Sequence, residues 1–205
     1  MGKGMSWQQE IDFQCSFGIW PFRKTLEISP NGFTWCGENF PLKSITRLRW
    51  GIDQKRGGIF PKRICTATFG TEKREFTIRT QQKDFYTHLT DRYWKAVGRR
   101  LLSEMTEGLK TGKRYDFGRE ASVSDDGLFK KGRAILGSAG DTFYPWEDLQ
   151  WGIVNGYLCF APKNDDQKLL VGLSFLSVDN VHVLNVALAM LANCGNRKKL
   201  SAAER

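Results

Sequence analysis

No apolar run in this 205-residue chain reaches the roughly 18 residues that a membrane-spanning helix needs. The stretch from Met1 to Cys15 is polar and has no apolar core of the kind a secretory signal carries. Five cysteines, Cys15, Cys36, Cys65, Cys159 and Cys194, form an odd, dispersed set with no CxxC pair. That spacing argues against a disulfide framework or a structural zinc site and for free thiols in a reducing compartment. The expected location is therefore cytoplasmic, with room for a peripheral association with a membrane.

Catalytic signatures are scarce as well. Only two histidines occur, His88 and His182, both in segments with helical periodicity and at non-equivalent positions. No G-x-S-x-G, H-E-x-x-H, Walker or dinucleotide-binding pattern is present. Gly137-Ser-Ala-Gly140 is glycine-rich but lacks the lysine and following helix of a phosphate cradle. The adjacent acidic pairs Asp125-Asp126, Glu147-Asp148 and Asp165-Asp166 do not have the spacing of a metal loop. The expectation is a protein that is not an enzyme, with no catalytic residue, no metal and no cofactor.

What the chain does have is ordinary globular apolarity and an uneven charge. Its residues are 40% hydrophobic and 13% aromatic, too apolar for a disordered chain. The net charge is +9, from 31 basic and 22 acidic residues. Residues 1–110 hold 19 basic and 11 acidic side chains, whereas residues 111–205 hold 12 and 11. The excess is a property of the first half and bears on partners, not on fold.

Internal similarity divides the chain at the same place. Thr25-Leu-Glu-Ile-Ser-Pro-Asn-Gly32-Phe33 resembles Glu120-Ala-Ser-Val-Ser-Asp-Asp-Gly127-Leu128, and both read as hairpins because Asn-Gly and Asp-Gly accept positive φ. Phe40-Pro41-Leu42-Lys-Ser-Ile45 resembles Tyr144-Pro145-Trp146-Glu-Asp-Leu149, and Arg49-Trp50-Gly51-Ile52 resembles Gln150-Trp151-Gly152-Ile153. The last two matches hold together only with a three-residue gap. Both copies continue with a further hairpin of β-branched and aromatic residues: Arg63–Phe69 with Glu75–Arg79, and Tyr157–Phe160 with Lys168–Phe175. Each closes with a helix. Phe85, Leu89, Tyr93, Val97, Leu101 and Met105 recur every fourth residue after a candidate N-cap at Thr80. Val181, Leu184, Leu188 and Leu191 recur after candidate caps at Ser177 and Asp179.

The Ile28-Ser29…Gly32 and Val123-Ser124…Gly127 hairpins, the two Pro-led strands ending in Trp-Gly and the closing helices together resemble the pleckstrin-homology superfold, in particular the bacterial PH-like and GRAM-like groups. That resemblance covers about residues 10–108 and 113–195. It implies an α+β, mainly β architecture of two PH-like split β-barrels, each plugged by its C-terminal helix. The expected layout is a basic first domain over 10–110, a second domain over 111–196 and a basic tail over 197–205. A single β-sandwich or lipocalin-like barrel is the structural alternative.

The strongest local feature is Gln54-Lys-Arg-Gly-Gly-Ile-Phe-Pro-Lys-Arg63, in which Lys55, Arg56, Lys62 and Arg63 bracket Ile59 and Phe60. Cations to meet phosphates and an apolar tip to enter the interface suit an anionic membrane surface. PH-like domains often bind phosphoinositides through basic residues around a strand–strand loop. That site usually follows the first strand, so its ligand residues do not transfer to this loop. Arg47, Arg49, Lys95, Arg99 and Arg100 form a candidate secondary basic face. Without a helix-turn-helix, zinc-finger or RNP-like motif, nucleic acid is the weaker reading of that face. Met1-Gly-Lys-Gly-Met-Ser6 fits the short N-myristoylation pattern, which arises often by chance. The expected function is a non-enzymatic binding module that docks to a protein partner or an anionic lipid surface. A scaffold without a small ligand is the alternative.

Overall fold

A computed structural model describes residues 11–17, 23–55, 62–132, 140–165 and 168–191. The chain divides into two compact units, Met1–Leu101 and Leu102–Arg205. The division falls inside a helix, ahead of the 110/111 boundary expected from the sequence.

The first unit opens with a four-stranded antiparallel meander: β1 (Phe13–Phe17), β2 (Lys24–Ser29), β3 (Gly32–Trp35) and β4 (Glu38–Phe40). Leu26 and Ile28 point inward at 0% and 1% exposure while their neighbours face outward, the period-2 alternation of a sheet with one buried face. A 3-10 turn over Leu42–Ser44 follows, and then a second antiparallel sheet of β5 (Arg47–Lys55), β6 (Lys62–Gly70) and β7 (Glu75–Thr80). Helical chain runs from there through α1 (Lys83–Tyr93), a π-helical turn (Trp94–Gly98) and α2 (Arg99–Lys110). Its stripe of Leu89, Tyr93, Val97, Leu101, Met105 and Leu109 is buried. Tyr93 joins both sheets, its ring lying 6.3 Å from Phe33 on β3 and 4.7 Å from Phe69 on β6. Around them Trp35, Phe40 and Phe76 complete an aromatic core, Trp35 edge-on to Phe69 and Phe76 stacked on it.

The second unit repeats the order. Strands β8 (Tyr115–Phe117), β9 (Ala121–Val123), β10 (Gly127–Lys130) and β11 (Thr142–Pro145) form a four-stranded sheet. A 3-10 turn over Trp146–Asp148 leads into β12 (Leu149–Val154), β13 (Tyr157–Pro162) and β14 (Val171–Ser174). Helix α3 (181–191) closes it, with Val181, Val183, Leu184, Ala187 and Leu188 buried. The architecture is thus mainly β with helices. Among the described residues each unit's seven strands form two separate sheets, and no closed barrel is present.

Three sequence expectations change in detail. The residues after Pro41 and Pro145 are 3-10 turns, not the beginning of Pro-led strands, because proline's fixed φ opens each turn without a backbone N–H. Thr80 ends β7 and does not cap a helix, although its hydroxyl accepts the Gln82 N–H at 3.1 Å. Asn180, not Ser177 or Asp179, immediately precedes α3, and its carbonyl accepts the Leu184 N–H at 3.0 Å.

The structure also fixes the repeat register. The first 3-10 turn ends at Ser44 and the inward stripe resumes at Leu48; the second ends at Asp148 and the stripe resumes at once with Leu149. Three extra residues, 45–47, therefore lie at this corner of the first unit; the match through the 3-10 turn and the Trp-Gly match both hold, with Leu48 in place of Ile45 opposite Leu149. Beyond it Leu48, Trp50, Cys65, Ala67 and Ile78 correspond to Leu149, Trp151, Leu158, Phe160 and Val171 through identical strand pairings. All five of these positions are apolar in both units.

Candidate functional site

Strands β5 and β6 pair antiparallel along their whole length, from Arg47 opposite Gly70 to Lys55 opposite Lys62. The basic segment singled out in the sequence therefore joins two nine-residue strands of one hairpin. Arg63 is exposed on β6. Arg56, Ile59 and Phe60, and the side chains of Lys55 and Lys62, lie outside the described residues.

The secondary basic residues have specific surroundings within the first unit. Arg47 and Arg49 stand two apart on β5 and point to one face, toward Glu75 on β7. Arg49 forms a salt bridge with Glu75, and Arg47 approaches the same carboxylate at 4.0 Å. Arg47 also donates to the Thr71 and Arg74 carbonyls at 2.9 and 3.2 Å, clamping the β6–β7 turn. Lys95 pairs with Asp91 one helical turn earlier at 3.0 Å. Arg100 donates to the Ile45 carbonyl at 2.6 Å and the Leu42 carbonyl at 3.4 Å. Arg99 is exposed. Four of the five thus engage groups of their own unit. Glu75, their main acidic partner, carries no local signal, since only the strand register brings it beneath Arg47 and Arg49.

Each unit has a cleft lined by described residues. One in the second unit, ≈ 550 Å³, is lined by Glu120, Lys130, Lys131, Thr142, Tyr144 and Val171 among others. Lys131 is held there by Asp116 at 2.7 Å and by the Gly118 carbonyl at 3.1 Å. The other, ≈ 480 Å³ in the first unit, includes Lys43, Ser44, Thr46, Thr71 and Lys73. Neither lining contains a histidine or cysteine. Among the described residues no group of three His, Cys, Asp or Glu side chains is placed to hold a metal ion, and no helix is long and apolar enough to cross a membrane. Of the two histidines, His182 packs on Phe175 with ring centroids 4.4 Å apart, and His88 is exposed.

Comparison with protein-family models, with curated proteins and with solved structures gives no match.

Proposed function

We propose that this chain is a non-enzymatic binding module of two PH-like domains, and that the first docks on an anionic membrane surface through the end of its β5–β6 hairpin. The observation that carries the reading is the distribution of the first unit's charge. Its 18 basic residues exceed its 9 acidic ones, yet Arg47, Arg49, Lys95 and Arg100 are engaged internally. Lys55 and Lys62 pair at the end of a long two-stranded ribbon, and Arg56 and Arg63 neighbour them in sequence. Each such cation contributes about 1 kcal/mol near an anionic leaflet. The repeated order of four strands, a 3-10 turn, three strands and a closing helix supports the PH-like reading of both units.

The test is co-sedimentation of the full chain with vesicles of neutral lipid alone and with added anionic lipid, each at two salt concentrations. Binding to the anionic vesicles that weakens with salt is expected. Joint substitution of Lys55, Arg56, Lys62 and Arg63 by Glu abolishes it. Equal binding to both vesicle types, or to neither, overturns the proposal. In the latter case a protein partner for the same hairpin is the remaining reading.

A further inference from the structure

The repeat register also aligns the four-stranded sheets of the two units. Trp35 pairs with Leu26 and Glu38 in the first as Lys130 pairs with Ala121 and Thr142 in the second. Phe40 pairs with Phe33 as Tyr144 pairs with Leu128. Trp35 and Phe40 thus correspond to Lys130 and Tyr144. In the first unit these two rings fill the space between its sheets. Trp35 lies 6.0 Å from Phe69 and 5.4 Å from Phe76, and Phe40 lies 4.9 Å from Phe76. In the second unit Pro162 takes the place of Phe69, opposite Leu149 as Phe69 is opposite Leu48. Leu169, two residues before Val171, takes the place of Phe76, two before Ile78. The aromatic filling is gone, and the ≈ 550 Å³ cleft that Lys130 and Tyr144 line opens there.

Three polar side chains line this cleft without a partner. Lys130 shares one face of β10 with the fully buried Leu128, and Thr142 and Tyr144 stand opposite these two on β11. The Lys130 ammonium and the Thr142 and Tyr144 hydroxyls form no hydrogen bond or ion pair among the described residues. Leu170 and Val171, 6% and 5% exposed, supply an apolar wall from the other side. Of the remaining charged groups in the lining, Lys131 is held by Asp116 and the Gly118 carbonyl, and Glu120 brings a carboxylate. An apolar wall with a few convergent polar groups is the usual form of a small-molecule site.

We propose that this cleft binds a small organic acid, a single carboxylate on an apolar body. The carboxylate meets the Lys130 ammonium and accepts from the Thr142 and Tyr144 hydroxyls, and such charge-assisted bonds are the strong ones. The apolar body lies against Leu170 and Val171. The charge count sets the class. One uncommitted cation neutralises one carboxylate, whereas a phosphate or polyphosphate leaves surplus negative charge beside Glu120. The site lies wholly in the second unit, so it does not depend on membrane docking by the first unit's hairpin.

The test is titration of the isotopically labelled full chain with hexanoate, followed by NMR at the Val171 and Gly172 amides, which line the cleft. Saturable shifts with a dissociation constant of about 1 mM are expected of so small a ligand. Hexanamide, the uncharged isostere, and inorganic phosphate bind at least about tenfold more weakly. Lys130→Met weakens hexanoate binding about tenfold, and Lys130→Trp, which installs the first unit's residue, abolishes it. Lys168→Met removes an exposed lysine of the same unit from outside the lining and binds like wild type. Absence of a saturable shift at Val171 and Gly172 overturns the proposal, as does hexanamide or phosphate binding as tightly as hexanoate. A folded Lys130→Met that binds like wild type overturns it too, and so does an equal loss from Lys168→Met.

Discussion

Gly127 on β10 lies so near Tyr144 on β11 that a Cβ at position 127 would stand 2.2 Å from the Tyr144 carbonyl oxygen. The first unit repeats the contact: a Cβ at Gly32 would stand 2.9 Å from the Phe40 carbonyl oxygen. In each case the carbonyl belongs to the residue just before the proline that opens the 3-10 turn. The glycine lets the third strand of the unit close against the fourth, and that closure sets the corner from which the second sheet starts.

Gly127→Ala therefore costs about 2 kcal/mol, the usual scale of overpacking against atoms that cannot move aside. Gly152→Ala, where nothing lies within 4 Å, is the control. Urea unfolding followed by circular dichroism checks both. A loss at Gly152→Ala equal to that at Gly127→Ala contradicts the steric argument.

Arg100 ties α2 to the corner between the first unit's sheets through the Ile45 carbonyl at 2.6 Å. Arg100→Met keeps the aliphatic stem but strands that carbonyl. It lowers stability by about 1–3 kcal/mol, the cost of a lost charge-assisted bond to a part-buried acceptor. Arg99→Met, at an exposed neighbouring position on the same helix, leaves the unfolding midpoint within measurement error.

Burial pushes the Cys15 thiol up to about 11 from its ordinary 9.0. Burial likewise raises the Tyr93 phenol well above its usual value, with Cys15 adding to the shift. In the folded state both groups hold their protons to higher pH than in the unfolded chain, which therefore binds fewer protons once pH passes 9. The stability contributed is complete below pH 9 and falls as pH rises to about 11 and beyond. Thermal melts across this range record a falling midpoint. Tyr93→Phe flattens that fall. Because the Tyr93 hydroxyl is buried with no hydrogen-bond partner among the described residues, the same variant is neutral or slightly stabilising at pH 7.

The elements most legible in the sequence were those whose signal is local. Period-two alternation marks β2 and β6, the spacing of four from Leu89 to Met105 marks the long helix, and the Gly32 and Gly127 turns mark the hairpins. The short strands β1 and β8 carry no local signal because Phe13–Phe17 and Tyr115–Phe117 are brief and owe their extended form to pairing with β2 and β9. The 3-10 turns carry none either, because two residues after a proline look alike in a strand and in a turn. At the site, the hairpin end around Lys55 and Lys62 was readable from its turn chemistry. The engagement of Arg47 and Arg49 by Glu75 was not, because it depends on three strands lying in one register.

The boundary between the compact units falls between Leu101 and Leu102, within the continuous helix that α2 completes. Helix formation is cooperative, since each residue's hydrogen bond depends on the turn before it. A cut made at this boundary therefore severs a helix whose turns depend on one another, where a cut in a loop would interrupt no such ladder.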